Sequence, residues 1–348
     1  MKIGVLTFHY ALNYGAILQA YATCRFLEGL GHNAEIIDYR NPTIEAGYKS
    51  FFWSKKALKA APFQYTWRFF PDYFRRLSRA KSFRRFVIER MNVSFMEEDY
   101  DAILIGSDQV WNKQITNGYD EYYWADFQTS AKKIAWCASM NVLGLQEPEQ
   151  IQKRLKNFDA LSVREDSLKD MLQPLTDQPI SVLQDPVLLL SAKEWSELAE
   201  PYSNFGKPYV LAYPMLYEEE VLRRARQLAD EKGMDLIVIS KNAGHKPYKG
   251  LFQCAGPEDF ISFIRGASHI VTSSFHGVAF SLIYGKPYEA VVAEGERNPR
   301  IESLIRHSGD LPQFKQQAIE FLKKALGTDF DKKESSSDEG DSLTKLME

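Results

Sequence analysis

Polar residues that move protons or hold anions gather in short clusters, each just after an apolar run. The sharpest is Thr272-Ser-Ser-Phe-His-Gly277, where an apolar strand gives way to a helix over Val278–Ile283. Ser273, Ser274 and Gly277 sit where a helix N-terminus offers unpaired N–H groups, which is an anion site. His276 stands in it and can give or take a proton near neutral pH. Glu294, Arg297 and Arg300 follow in a polar loop, and Arg300 either completes an anion clamp or lies on the surface. Arg164 and Glu165 close another apolar run. An arginine there forks onto a carboxylate or phosphate, or forms a structural pair with its neighbour. In Gly106-Ser-Asp-Gln-Val-Trp-Asn112, the hydrogen-bonding Ser107, Asp108, Gln109 and Asn112 crowd the indole of Trp111. That mixture suits a carbohydrate, and Asp108 reads either as a general base to a sugar hydroxyl or as a helix cap. Near the N-terminus, His9, Asn13, Tyr14 and Gly15 occupy a similar junction, with Asn13 either a ligand group or a cap. Asp185-Pro186 reads as a strand terminator that shapes a domain junction.

The elements that position these clusters follow from hydrophobic periodicity. Lys2–Thr7, Ala34–Asp38, Ala102–Ile105, Lys133–Cys137, Ala160–Val163 and Ile180–Leu183 are short apolar runs with helical patterns between them. A second set comprises Tyr209–Tyr213, Leu236–Ile239, His269–Thr272 and Pro287–Val292, with helical patterns at Val221–Lys232 and Pro257–Ile264. Alternating strands and helices imply parallel sheets with right-handed crossovers. Two successive sets predict an α/β chain of two facing Rossmann-like domains, 1–190 and 206–327. The polar clusters then share one location, because ligand sites of such sheets lie at the carboxyl ends of the strands. No G-x-G-x-x-G follows the first strand, which argues against a dinucleotide cofactor.

The 348 residues are 45% hydrophobic and 26% charged, the composition of a globular protein rather than a disordered chain, a fibre or a coiled coil. A formal net charge of −3 argues against a nucleic-acid partner. Cys24, Cys137 and Cys254 are scattered without metal-ligand spacing, so reduced thiols, a cytoplasmic location and a site without metal or cofactor are expected. No apolar run reaches the roughly 18 residues of a membrane span, and the N-terminus lacks a secretory pattern. One segment departs from the average. Residues 49–90 carry twelve Lys or Arg against Asp72 and Glu89, interleaved with aromatics such as Phe51, Trp53, Trp67, Phe83 and Phe86. This basic aromatic helical insertion is a candidate for peripheral contact with the inner membrane. The alternative is a helical excursion whose aromatics pack on the N-terminal domain. The acidic tail 328–348 reads as disordered.

Taken together, the clusters resemble the polysaccharide pyruvyl transferase family. The matching stretches are NYGAILQAYA (Asn13–Ala22), IGSDQVWN (Ile105–Asn112), SVRE (Ser162–Glu165), QDPVLLL (Gln184–Leu190), GPEDFISFI (Gly256–Ile264), TSSFHGVAFSLIYGKP (Thr272–Pro287) and RIESLI (Arg300–Ile305). The resemblance implies a glycosyltransferase-B-like fold. It also implies phosphoenolpyruvate as donor and a pyruvate ketal built on a hydroxyl pair of a surface polysaccharide or its lipid-linked precursor. Arg164 would then bind the donor's phosphate or carboxylate, and His276 would be the acid. Family members can carry an arginine two residues before the motif histidine, where this chain has Ser274. Arg300, Lys241 or helix N–H groups would replace that charge. Two other functions suit the fold: a nucleotide-sugar-dependent glycosyltransferase using Glu294 and Arg297, and a non-catalytic glycan- or lipid-binding protein.

Overall fold

The computed structural model describes residues 1–50, 62–95, 99–240, 250–292 and 298–327. Side chains are described in 1–46, 74–95 and the last three of these ranges.

The first sheet is built from β1 (Lys2–Leu6), β2 (Asn33–Ile37), β3 (Val93–Ser94), β4 (Ala102–Ile105), β5 (Lys132–Ala138), β6 (Ala160–Val163) and β7 (Ile180–Val182). All are parallel, in the order β3-β2-β1-β4-β5-β6-β7. Strand β1 is in register with both neighbours, Val5 lying beside Ile36 and Leu104. Helices cover both faces of such a sheet, which is why its strands are continuous apolar runs instead of alternating ones. These helices are α1 (Tyr14–Gly29), α2 (Pro42–Ser50), α3 (Pro62–Arg90), α4 (Lys113–Thr116), α5 (Pro148–Leu155) and α6 (Asp166–Leu172).

After α7 (Ala192–Ser196) the chain enters the second sheet: β8 (Tyr209–Tyr213), β9 (Asp235–Ile239), β10 (Leu251–Phe252), β11 (His269–Thr272) and β12 (Tyr288–Ala290). It is parallel too, in the order β10-β9-β8-β11-β12. Its helices are α8 (Glu218–Lys232), α9 (Pro257–Gly266), α10 (Phe275–Ile283) and α11 (Pro299–Arg306), followed by α12 (Leu311–Leu326). Two parallel α/β sheets in succession form the expected glycosyltransferase-B-like architecture.

Two helices help tie the halves together. Helix α3 lies within the basic aromatic segment, and its last turns are spent on packing. Phe83 and Phe86 are buried, with rings 5.2 Å from Tyr14 and 5.6 Å from Tyr21. Arg79, also buried, donates to the carbonyls of Leu12 in the first half and Ser240 in the second, and its guanidinium lies 4.9 Å from the Tyr14 ring. Arg85 and Arg90 pair with Glu258 of α9. The aromatic side chains Phe51, Trp53 and Trp67 lie outside the described ones, as does the tail from 328. The second connection is α12. The sequence reading assigned it to the second domain, yet it docks on the first sheet. Lys132 Nζ donates to the carbonyls of Ala325 and Leu326 at 3.0 Å, and Phe321 faces Trp136 at 6.2 Å. Among the described residues no helix is long and apolar enough to cross a membrane.

Candidate active site

The carboxyl ends of β1 and β4 and those of β8 and β11 border one cavity of about 330 Å³. Asn13, Asp108, Gln109 and Asn141 line it from the first half. Ser273, Ser274, Phe275, His276, Asn298 and Arg300 line it from the second.

Helix α10 begins three residues earlier than periodicity predicts, because Ser274 caps it by accepting the Gly277 N–H at 3.3 Å. His276 is thereby set in the first turn, beside the unpaired N–H groups. Thr272 braces this start, its hydroxyl accepting the Ser274 N–H at 3.0 Å and donating to the Tyr213 carbonyl at 2.7 Å. A Cβ on Gly277 would stand 2.4 Å from that hydroxyl, so only glycine lets the helix sit this close. Ser273 spends its hydroxyl on the loop after β8, accepting from Met215 and Leu216 N–H and donating to the Leu216 carbonyl. It lines the cavity while holding a neighbouring loop of the same half.

The His276 ring crosses from one half to the other. A Cβ on Gly15 would fall 1.9 Å from its Nδ1, so the imidazole rests on the bare first turn of α1. Asn13 caps that turn, accepting the Gly15 N–H at 3.0 Å. His276 Nε2 is buried, closes no hydrogen bond, and faces Asp185 Oδ2 at 3.4 Å. Asp185 caps the turn Pro186–Leu189 through the Val187 N–H at 3.0 Å and pairs with Arg164 Nη1. Burial alone would raise its pKa. Arg164, His276 and the Val187 N–H outweigh burial and hold the carboxyl at about 2.

Arg164 is fully enclosed against the Phe275 ring, 4.7 Å from its centroid, and its Nη2 lies 3.5 Å from Asp108 Oδ1. Burial opposes its charge, but Asp185, Asp108 and Glu165 together raise its pKa. The resemblance gave Arg164 to the donor anion. The structure commits its two terminal nitrogens to carboxylates and puts it behind the cavity wall. Asp108 does line the cavity, on left-handed backbone with φ 71°, a conformation that costs energy outside glycine. Glu165 accepts the Ser139 hydroxyl at 2.5 Å, and burial is the main force raising its pKa. Arg300 reaches the cavity from α11 and donates to Asn141 Oδ1 at 3.1 Å. Burial and the nearby Arg164 lower its pKa below that of an ordinary guanidinium.

Other expected ligand residues are structural here. Trp111 is a core side chain, stacked 4.7 Å from Trp124 and donating to the Tyr123 carbonyl, so no sugar reaches its ring. Asn112 caps α4, and Ser107 donates to the Cys137 carbonyl. Tyr14 donates to the Ala255 carbonyl and stacks on Phe260, joining the halves without lining the cavity. Gly15 and Gly277 contribute through the side chains they lack. His9 pairs with Asp38 at 2.9 Å. Lys241, Glu294 and Arg297 lie outside the described residues. Sequence reasoning missed Asn141 and the central place of Asp185, although Asp185 follows a strand end, as the other site residues do. Among the described residues, no three His, Cys, Asp or Glu side chains are grouped to hold a metal ion.

No curated protein matches the chain significantly. Solved structures similar to it include the UDP-N-acetylglucosamine 2-epimerase of Methanocaldococcus jannaschii, at 11% identity and TM-score 0.46, over 95% of this chain and 94% of that one. The same enzyme of Neisseria meningitidis, bound to UDP-GlcNAc, gives 10% identity and TM-score 0.45, over 94% and 93%. The spinosyn rhamnosyltransferase SpnG gives 11% and 0.38, over 94% of each chain. The profile of the polysaccharide pyruvyl transferases matches residues 13–287, a span that holds the capped start of α1, the Asp108 turn, the Arg164–Asp185 pair and His276. The chain belongs to the polysaccharide pyruvyl transferase family.

Proposed function

We propose that the protein transfers pyruvate from phosphoenolpyruvate to two hydroxyls of a sugar in a surface polysaccharide or its lipid-linked precursor. The observation that carries this reading is the cavity itself. An imidazole, a guanidinium and the start of α10 stand on one wall, and a carboxylate stands on the other. The donor carries a phosphate and a carboxylate, and Arg300 with the α10 N–H groups supplies the positive field such an anion requires. Arg164 adds its charge from behind Phe275.

In this reading His276 protonates the vinyl carbon and C2 becomes oxocarbenium-like. A sugar hydroxyl attacks C2 while Asp108 takes its proton. The C2–O bond to phosphate breaks, and a second hydroxyl closes the ketal. Of the two hydroxyl protons, one replaces the proton that His276 gave to the methyl group and the other leaves with phosphate. In this reading, closure of the halves on the substrates keeps water from competing as nucleophile.

Phosphate release from phosphoenolpyruvate, with and without glycan acceptors, tests the proposal. Release that depends on acceptor is expected, falling about 10²-fold or more in His276→Ala. Phosphoenolpyruvate should still raise the melting temperature of that variant but not of Arg300→Ala. Protection by UDP or GDP alone would overturn the reading in favour of a nucleotide-sugar enzyme. For a lipid-linked acceptor, the basic segment 49–90 is the proposed membrane contact. Binding to anionic vesicles should then weaken with salt, and salt-insensitive binding would reject that contact.

A further inference from the structure

The buried charges behind the cavity form a chain from one wall to the other. Asp108 Oδ1 lies 3.5 Å from Arg164 Nη2, Arg164 Nη1 pairs with Asp185 Oδ2, and the same oxygen lies 3.4 Å from His276 Nε2. The side chains of Arg164 and Asp185 are wholly enclosed, and those of Asp108 and His276 nearly so. Little solvent screens these charges from one another. Asp108 follows β4, Arg164 follows β6, Asp185 follows β7, and His276 comes from the second half. We propose that Asp185 is a positioning residue which, with Arg164, fixes the charge and orientation of the His276 ring and couples it to Asp108 on the opposite wall.

The proposal rests on the acid and base roles given above to His276 and Asp108. Asp185 meets Nε2, and the bare Cα of Gly15 leaves room at Nδ1. Nδ1 is therefore the nitrogen left to face a ligand. Asp185 favours the imidazolium form that an acid needs. Arg164 and Arg300 oppose that form, Arg164 by competing for the same carboxylate oxygen. Asp108 and Glu165 are the other carboxylates nearby, and Arg164 lies between Asp108 and His276. When His276 gives up its proton, the Asp185 charge turns wholly to Arg164.

The full-length chain carries the test, with the ring ¹⁵N shifts of His276 followed across pH and the pH profile of phosphate release alongside. An opposite charge at this range shifts a titration by one unit or more. In Asp185→Asn the His276 midpoint should fall by about one unit, and the alkaline limb of the profile should follow it. In Arg164→Gln it should rise, because Asp185 then serves the imidazole alone. Asp185→Glu should recover part of the loss. A merely structural role cannot move one midpoint in opposite directions. Unchanged midpoints in the folded variants, or a fall in both, would overturn the proposal. If Asp185→Asn fails to fold, Arg164→Gln and Asp185→Glu decide by the same criterion. Midpoints that move as expected with no phosphoenolpyruvate turnover would leave the coupling standing and remove the pyruvyl-transfer reading instead.

Discussion

Gly15 and His276 are 261 positions apart in sequence, and their contact shows how a missing side chain fixes a present one. An alanine at 15 would put its methyl on Nδ1, so ring or helix must move. Overpacking of this kind costs about 1–3 kcal/mol. Gly15→Ala should lower the melting temperature modestly but remove phosphate release almost wholly. A variant as active as the parent would refute the assigned ring position. Asp185 makes a prediction about acid. Its folded pKa of about 2 is depressed from an ordinary 3.8, so its contribution is present above the ordinary value and lost as pH falls from about 4 to 2. That contribution is on the order of 2 kcal/mol. Denaturant titrations over this range should show the parent losing more stability on acidification than Asp185→Asn. Residue types at strand ends pointed to Asp108, Gln109, Ser274 and His276, and all four line the cavity. They did not separate Gln109, which faces the cavity, from Trp111, which faces the core, because one turn turns neighbours to opposite sides.

At the scale of elements, the long apolar strands were legible because burial on both faces leaves an unbroken hydrophobic run. Ala102–Ile105, Ala160–Val163, Tyr209–Tyr213 and His269–Thr272 end where the pattern says. The edge strands β3 and β10 are two residues each, too short to carry any period. Helix α3 was legible as basic and aromatic but not as a strap, since its partners lie far off in sequence. Its arginines should differ in worth. Arg79 is buried, with two carbonyl acceptors and an aromatic face. Arg79→Ala should cost about 1–3 kcal/mol, from hydrogen bonds to a charged group. Arg85 and Arg90 are exposed beside Glu258, and such pairs contribute about 0–1 kcal/mol. Thermal melts should show a clear drop for Arg79→Ala and almost none for Arg85→Ala or Arg90→Ala. Equal drops would contradict the packing described.

The whole molecule closes around its cavity through contacts that no local pattern announces. Asp166 at the start of α6 accepts from Ser303 and Arg306 of α11 and meets His307 at 3.1 Å, while Arg300 reaches Asn141. A donor anion bound here should stabilise both halves at once, by about 2.7 kcal/mol at a hundred times its dissociation constant. Calorimetry should then show one transition moving as a unit. The docking of α12 has a further consequence. Its last turns hydrogen-bond to Lys132 and lie on Trp136 of the first sheet, so neither half owns a finished core. Severed at the exposed turn around Phe205, the two fragments should each aggregate alone yet reassemble when produced together. The protein is in that sense a natural candidate for split-fragment complementation.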